Sequence, residues 1–251
     1  MHQFFIQTEN IKENEIWITD KKDRSHIDHV LRMKKGEKMV LCCQEKRREY
    51  LCEIEEFHPE SIRTRILDIQ GESRELPAKI VLFQGLPKSD KMDWIIQKAV
   101  ELGASEIVPV ATKRAIVKLD GKKAEKKRQR WSEIAKGAAS QSKRGVIPEV
   151  KPVLSFPEAI EYGKTLDFCL IPYEDAKGIA HSREIVAMAK PKKSIGVYIG
   201  PEGGFAEEEV ALAVQAGASP ITLGHRILRT ETAGMAVLSI LMFMLEEDRE
   251  A

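Results

Sequence analysis

Residues 194–245 read SIGVYIGPEGGFAEEEVALAVQAGASPITLGHRILRTETAGMAVLSILMFML, and the fold is decided here. The apolar run Ile195–Ile199 breaks abruptly into Gly200, Pro201, Glu202, Gly203 and Gly204. A short run of this kind, without polar alternation, predicts a strand of a parallel sheet buried on both faces. Three glycines in the five positions 200–204 leave bare backbone able to approach a small ligand. Glu207–Glu209 then place acids in the first turn of a helix, where the dipole favours them, and the helix ends near Gly217. A second strand, Pro220–Leu223, breaks into Gly224, His225, Arg226, Ile227, Leu228, Arg229, Thr230, Glu231 and Thr232. Two successive strands that each end in a glycine-containing loop before a helix put both loops at one edge of a parallel sheet, the usual ligand crevice of such sheets. From Thr232 to Leu245 no residue is charged over fourteen positions, too short to span a bilayer and suited to a helix in a core or subunit interface.

Upstream the pattern differs. Strand-like runs at Phe4–Ile6, Ile16–Ile18, Lys38–Cys43, Tyr50–Phe57 and Ser61–Gln70, with turn residues between them and one short helical stretch at Ser25–Met33, predict a small β-barrel. His26, His29 and Arg32 fall three apart and would share a helix face. The polar stretch Gly71–Pro77 reads as a linker, which places one domain at 1–72 and a second at 73–251. In the second, strands at Lys79–Gln84, Ile107–Ala111, Phe168–Pro172 and Ile195–Ile199 alternate with helices at Asp90–Leu102 and Lys122–Ser142, as in an α/β domain whose parallel sheet is covered on both faces.

A net charge of +1 hides a local imbalance. Between Lys113 and Arg144 there are twelve Lys or Arg and three acids, an electrostatic footprint for a polyanion or else a solvated helix face. Cys42, Cys43, Cys52 and Cys169 lack metal-ligand spacing, and the first ten residues lack a signal-peptide pattern, so a cytoplasmic chain without a metal site is expected. Neither G-x-G-x-x-G nor G-x-x-x-x-G-K-[ST] is present, and the acids at 207–209 suit a ligand with a cationic centre better than a phosphate.

IGPEGGF at 199–205 followed by LGHRILRTETA at 223–233 resembles the paired signature of the SPOUT superfamily of knotted methyltransferases, and more narrowly the RsmE-type enzymes. HVLRMKKGE at 29–37, GLPKSDKMDWIIQKAVELG at 85–103, RAIVKLD at 114–120 and RWSEIAKGAASQSKR at 130–144 continue the resemblance over nearly the whole chain. It implies a trefoil-knotted domain after a PUA-like RNA-binding barrel, a homodimer, and methylation of uridine N3 in 16S ribosomal RNA, free or in the small subunit, with S-adenosylmethionine as donor. By the same resemblance Ile199, Gly200, Glu202, Gly203 and Gly204 form one wall of the donor site, and Leu223, Gly224, Ile227, Leu228, Thr232 and Ala233 the other. Pattern alone predicts an ordinary doubly wound sheet, since knots are nearly absent from proteins.

N3 of uracil carries a proton, so transfer to it needs a base or donors that stabilise the ring anion. Arg229 is the candidate for anion stabilisation, with Glu231 taking the proton, orienting Arg229, or simply pairing with it to fix the loop. Candidate phosphate contacts are Arg32, Lys88, Lys91, Arg114, Lys118, Lys122, Lys123, Lys126, Lys127, Arg128, Arg130, Lys143 and Arg144. Position 3, commonly arginine in the family just before the aromatic pair, is Gln3 here. Rival readings are a 2′-O-ribose or guanine-N1 methyltransferase of the same superfamily, and a non-catalytic RNA-binding or ribosome-assembly protein.

Overall fold

Along β1 (His2–Ile6), β2 (Ile11–Lys12), β3 (Glu15–Ile18), β4 (Lys38–Cys43), β5 (Arg48–Phe57) and β6 (Ile62–Gln70), apolar residues at alternate positions face a common interior. The computed structural model describes residues 1–70, 74–119, 121–174 and 176–246, so Gly71, Glu72 and Ser73 of the expected linker lie outside the described residues. The six strands form one sheet in the order β1-β4-β5-β6-β3-β2, antiparallel except for the β1–β4 pair. Ile16, Ile18, Ile27, Met39, Leu41, Ile54 and Ile62 make its core. The short helix starts earlier than its periodicity suggests, because the Asp20 carboxylate accepts the Asp23 N–H at 2.9 Å and caps α1 (Lys21–Ser25). The turn then widens to π geometry over His26–Val30, closed by Leu31 N–H to His26 C=O at 2.9 Å. Arg32 lies beyond it with φ +54°, so the expected shared face of His26, His29 and Arg32 does not form.

By its contacts the chain divides into two units, one of Met1–Glu75 with Ala139–Ile147 and one of Leu76–Ala138 with Pro148–Ala251. The return of 139–147 to the first unit has a polar cause. The Gln3 amide donates to the Arg144 carbonyl at 2.5 Å, and the buried Arg144 guanidinium binds the Glu75 carboxylate. Arg144 is therefore occupied inside the first unit, which removes it from the expected phosphate contacts. Gln3, itself buried, is a structural residue here.

The second unit runs β7 (Lys79–Gly85), α2 (Lys91–Glu101), β8 (Glu106–Ala111), α3 (Gly121–Gln141, its last three residues in the first unit), β9 (Glu149–Val150), β10 (Leu154–Ser155), α4 (Phe156–Gly163), β11 (Phe168–Pro172), α5 (Ile179–Ala187), β12 (Ser194–Ile199), α6 (Glu207–Gln215), β13 (Ser219–Ile221) and α7 (Thr230–Leu245). All its strand pairs are parallel, in the order β10-β8-β7-β12-β11-β13 with β9 against β8. Central β7 and β12 are almost wholly buried, as their continuous apolar runs require. Parallel direction brings the carboxyl ends of β7, β11, β12 and β13 to one edge. α7 begins at Thr230, two residues before its charge-free run, and buries Val237, Leu238, Leu241 and Leu245 while packing on α2 and β12. Ile240 and Phe243 on the same helix stay exposed, at 48% and 86%.

All four cysteines are free and buried; burial pushes the thiols of Cys42, Cys52 and Cys169 up to about 12, 11 and 11. No helix among the described residues is long and apolar enough to cross a membrane.

Candidate active site

Three loops, not two, meet at the carboxyl edge of the parallel sheet. They follow β11, β12 and β13, and they enclose a cleft of about 480 Å³, within the usual range for small-ligand sites. Pro172, Tyr173 and Glu174 come from the first loop, Gly200–Phe205 from the second, and Ile227, Leu228 and Arg229 from the third, with Thr230 and Ala233 of α7. A neighbouring cleft of about 460 Å³ shares Pro172–Glu174, Ile227, Leu228 and Ala233 and adds Leu223, Gly224, His225 and Arg226. Ile227 stands between the two with 89% of its surface exposed.

The glycine loop is held by close backbone packing. A Cβ on Gly200 would lie 3.0–3.1 Å from the backbone of Gly204 and Phe205, and Gly204 itself has φ +66°. Behind it, a Cβ on Gly85 would meet Pro201 Cδ at 2.6 Å and Pro201 N at 2.7 Å, so the end of β7 seats the loop directly. On the outer side the Arg114 guanidinium donates to the Gly203 carbonyl at 3.1 Å. Two of the three acids that follow are used locally. Buried Glu209 accepts the N–H groups of Ala206 and Lys113, each at 2.8 Å, and Glu208 pairs with the Lys113 ammonium.

Lys91, at the start of α2, ties the second loop to α7. Its ammonium lies 3.0 Å from Glu202 and 3.4 Å from Glu231, and Glu202 also accepts the Lys88 N–H at 3.1 Å. The hydrogen bond to Glu202, with both carboxylates nearby, raises the Lys91 pKa above its ordinary value. For Glu202, burial opposes ionisation, but hydrogen bonds from its own backbone, Lys91 and Lys88 outweigh it and hold the carboxyl below its ordinary range. The linkage to stability follows from the two directions. Lys91 contributes fully below its ordinary 10.5 and the contribution is lost as pH rises through its higher folded value; Glu202 contributes fully above its ordinary 4.5 and the contribution is lost as pH falls through its lower folded value. We therefore expect the melting-temperature difference between wild type and Lys91→Met to be flat at intermediate pH and to shrink at both extremes. A difference unchanged at both ends would show that the bridge adds nothing.

A match to the RNA methyltransferase domain spans residues 74–242. The ribosomal RNA small subunit methyltransferase E of Bacillus subtilis (strain 168) is 37% identical over 251 residues, 98% of this chain and 98% of that protein. The chain belongs to the ribosomal RNA small subunit methyltransferase E family. Among solved structures, the family member of Neisseria gonorrhoeae bound to S-adenosyl methionine is 32% identical with a TM-score of 0.83, covering 97% of each chain. A methyltransferase structure from Legionella pneumophila with bound SAM is 32% identical with a TM-score of 0.85, covering 96% of each chain.

Of the candidate donor-site residues in this family member, Ile199, Gly200, Glu202, Gly203, Gly204, Ile227, Leu228 and Ala233 line the first cleft, Leu223 and Gly224 line the second, and Thr232 lines neither. Arg229 lines the first cleft, is exposed, and makes no side-chain hydrogen bond or ion pair with a described residue. The Arg229–Glu231 pair anticipated as one possibility is absent among the described residues, because Glu231 pairs with Lys91 instead. Glu231 does not line the cleft; it reaches it through that lysine.

The basic candidates divide. Lys91 and Arg114 line the cleft with their charges engaged there, and Lys127, Arg128 and Arg130 pair with Asp90, Glu125 and Asp93. Lys118, Lys122 and Lys126 are exposed and pair with no described residue. Lys88, Lys123 and Lys143 are exposed in the second, second and first units, as is Arg32 in the first. Sequence reasoning missed Tyr173 and Glu174, whose signal was a strand ending in Pro172 and a polar tail, and it missed Thr230, hidden inside a motif read for its charges.

Proposed function

We propose that the chain is a methyltransferase that places a methyl group on N3 of a uridine in 16S ribosomal RNA, using S-adenosylmethionine. The observation that carries this reading is the three-loop cleft, in a chain whose relatives of matching length are small-subunit rRNA methyltransferases and include one bound to S-adenosyl methionine. The residues fit that donor. Ile199, Phe205, Ile227 and Leu228 offer apolar walls, backbone of the glycine loop lies bare, and Glu174 and Glu202 suit the cationic groups of the donor while Arg114 and Arg229 suit its carboxylate. When bound, the donor supplies a sulfonium methyl carbon open to in-line displacement.

Alignment of the acceptor then supplies much of the rate, on the order of 7–11 kcal/mol for well-oriented partners. Arg229 stabilises the uracil anion formed as the N3 proton passes to solvent, and with no side-chain partner among the described residues its five N–H donors are available to O2 or O4. Glu231 acts as a positioning residue by holding Lys91 at the cleft wall. The first unit reads as a PUA-like RNA-binding barrel, and the loops after β12 and β13 as the crossings of a trefoil knot. A cytoplasmic location accords with these assignments.

RNA is held through Lys118, Lys122 and Lys126, which are exposed and pair with no described residue. Each single-strand phosphate neutralised contributes a log–log salt slope of about −0.7, so converting Lys118, Lys122 and Lys126 to glutamine should flatten the slope of RNA binding by about 2. An unchanged slope would return them to a solvated surface. A homodimer is supported by Ile240 and Phe243 of α7 and by Trp94 of α2, 41% exposed on the helix α7 packs against. Phe243→Lys should yield monomers in sedimentation, whereas a wild-type monomer would contradict the assignment. The reaction itself is tested by nucleoside mass spectrometry after incubation with unmodified small-subunit RNA and donor: 3-methyluridine is expected, and a 2′-O-methyl or 1-methylguanine product would select a rival reading.

A further inference from the structure

We propose that Gln84 and Thr230 form a buried positioning relay that sets the glycine loop against the first turn of α7, and through them the donor site against Arg229. The inference rests on the methyl-transfer reading for its purpose, but its geometry stands apart from it. Gln84 is the last residue of β7 paired with β12, opposite Ile199, at the point where both strands break into loops. It is fully buried, in a strand whose four preceding positions are filled by Ile80, Val81, Leu82 and Phe83. A leucine would fill such a place without a polar atom to satisfy.

The amide instead joins three segments. Gln84 Nε2 donates to Gly85 C=O at 3.0 Å and to Thr230 Oγ1 at 2.9 Å, and Thr230 Oγ1 donates onward to Gly200 C=O at 2.5 Å. The direction of the chain follows from its ends. Gly200 and Gly85 present carbonyl oxygens, which only accept, so the threonine hydroxyl must give its proton to Gly200 and receive one from the glutamine. This fixes the amide with its nitrogen toward Thr230 and leaves Gln84 Oε1 buried, with no hydrogen-bond partner among the described residues. An unsatisfied buried acceptor costs stability, so a native structure that retains one has a specific reason to do so. Thr230 lies directly after Arg229, which occupies the N-cap of α7, and Gly200 opens the loop that lines the cleft. The relay therefore fixes a main-chain atom of one wall and the helix start that presents Arg229.

Hydrogen–deuterium exchange on the full-length, donor-free protein tests it. In Thr230→Val and in Gln84→Leu, the amides of Gly204 and Ala233, bonded to Pro201 and Arg229 carbonyls, should exchange about 10-fold faster, the effect of losing one net hydrogen bond, while amides of β8 keep their wild-type rates. Thr230→Ser, which retains the hydroxyl, should behave as wild type, and Thr230→Ala replaces Thr230→Val if that variant does not fold. S-adenosylmethionine titrated into the same proteins should bind Thr230→Val about 10-fold more weakly, with affinity restored in Thr230→Ser. Unchanged exchange at 200–205 and 229–234, or acceleration spread evenly over the chain, overturns the relay. Should wild type fail to bind S-adenosylmethionine, the methyl-transfer reading fails, and the exchange result still decides the relay.

Discussion

Arg229→Ala lowers kcat by about 10²–10³, the usual consequence of removing one donor to a developing oxyanion, while the affinity for S-adenosylmethionine stays within a few-fold of wild type. The expectation follows from position and from isolation. Arg229 lies at the cleft wall as the N-cap residue of α7, with φ −65° and ψ 154°, so its main chain is extended and its side chain leaves the helix. No described residue takes up its charge, in contrast to Lys91, Arg114 and Arg130, which are each engaged. Glu231→Gln weakens the hold on Lys91 and acts through a different contact, so the two substitutions should combine nearly additively. The measurement is single-turnover methylation with donor at saturation, alongside calorimetric donor binding. Unchanged turnover in Arg229→Ala would remove this residue from the chemistry, and strong coupling with Glu231→Gln would revive the direct pair that the structure lacks.

The second large effect lies behind the site. Gly85→Ala introduces a methyl group 2.6 Å from Pro201 Cδ and 2.7 Å from Pro201 N, and backbone cannot yield as a flexible side chain does. The glycine loop must move by a substantial fraction of an ångström, and misplacement on that scale costs on the order of 10²-fold in activity. Overpacking adds a destabilisation of about 1–3 kcal/mol. Gly137→Ala is the control: nothing lies within 4 Å of its new methyl group, and within α3 the exchange should stabilise by about 0.5–1 kcal/mol. Wild-type melting and wild-type donor affinity in Gly85→Ala would mean that the contact with Pro201 does not position the loop.

Much of this architecture is legible in the chain because local pattern and long-range packing agree. The continuous apolar runs at 80–83 and 195–199 had nowhere to go but the centre of a parallel sheet, and they pair there residue by residue. The glycines at 200, 203 and 204 announced a loop held by backbone contact. Other features depend on partners far away in sequence and leave little local trace. Lys91 looks like any helix-start lysine until Glu202 and Glu231 are brought to it. Arg144 closes a basic stretch yet is buried, because Glu75 and Gln3 receive it. The strand order, with β12 inserted between β7 and β11, is a property of crossovers and not of any one segment. The π turn at His26–Val30 defeated a reading that assumed ordinary helical spacing. The third loop of the cleft gave only Tyr173 and Glu174 after a strand, a signal shared by many surface turns.

The central claim is that one donor molecule is embraced by the loops at 199–205 and 223–233. A crystal structure with S-adenosylhomocysteine, the spent donor, tests it most directly. Adenosine and homocysteine moieties are expected in contact with Ile199, Gly203, Leu228 and the backbone between them, with Arg229 free to meet an acceptor. Density for the ligand elsewhere on the molecule, with those two loops making no contact to it, would contradict the account.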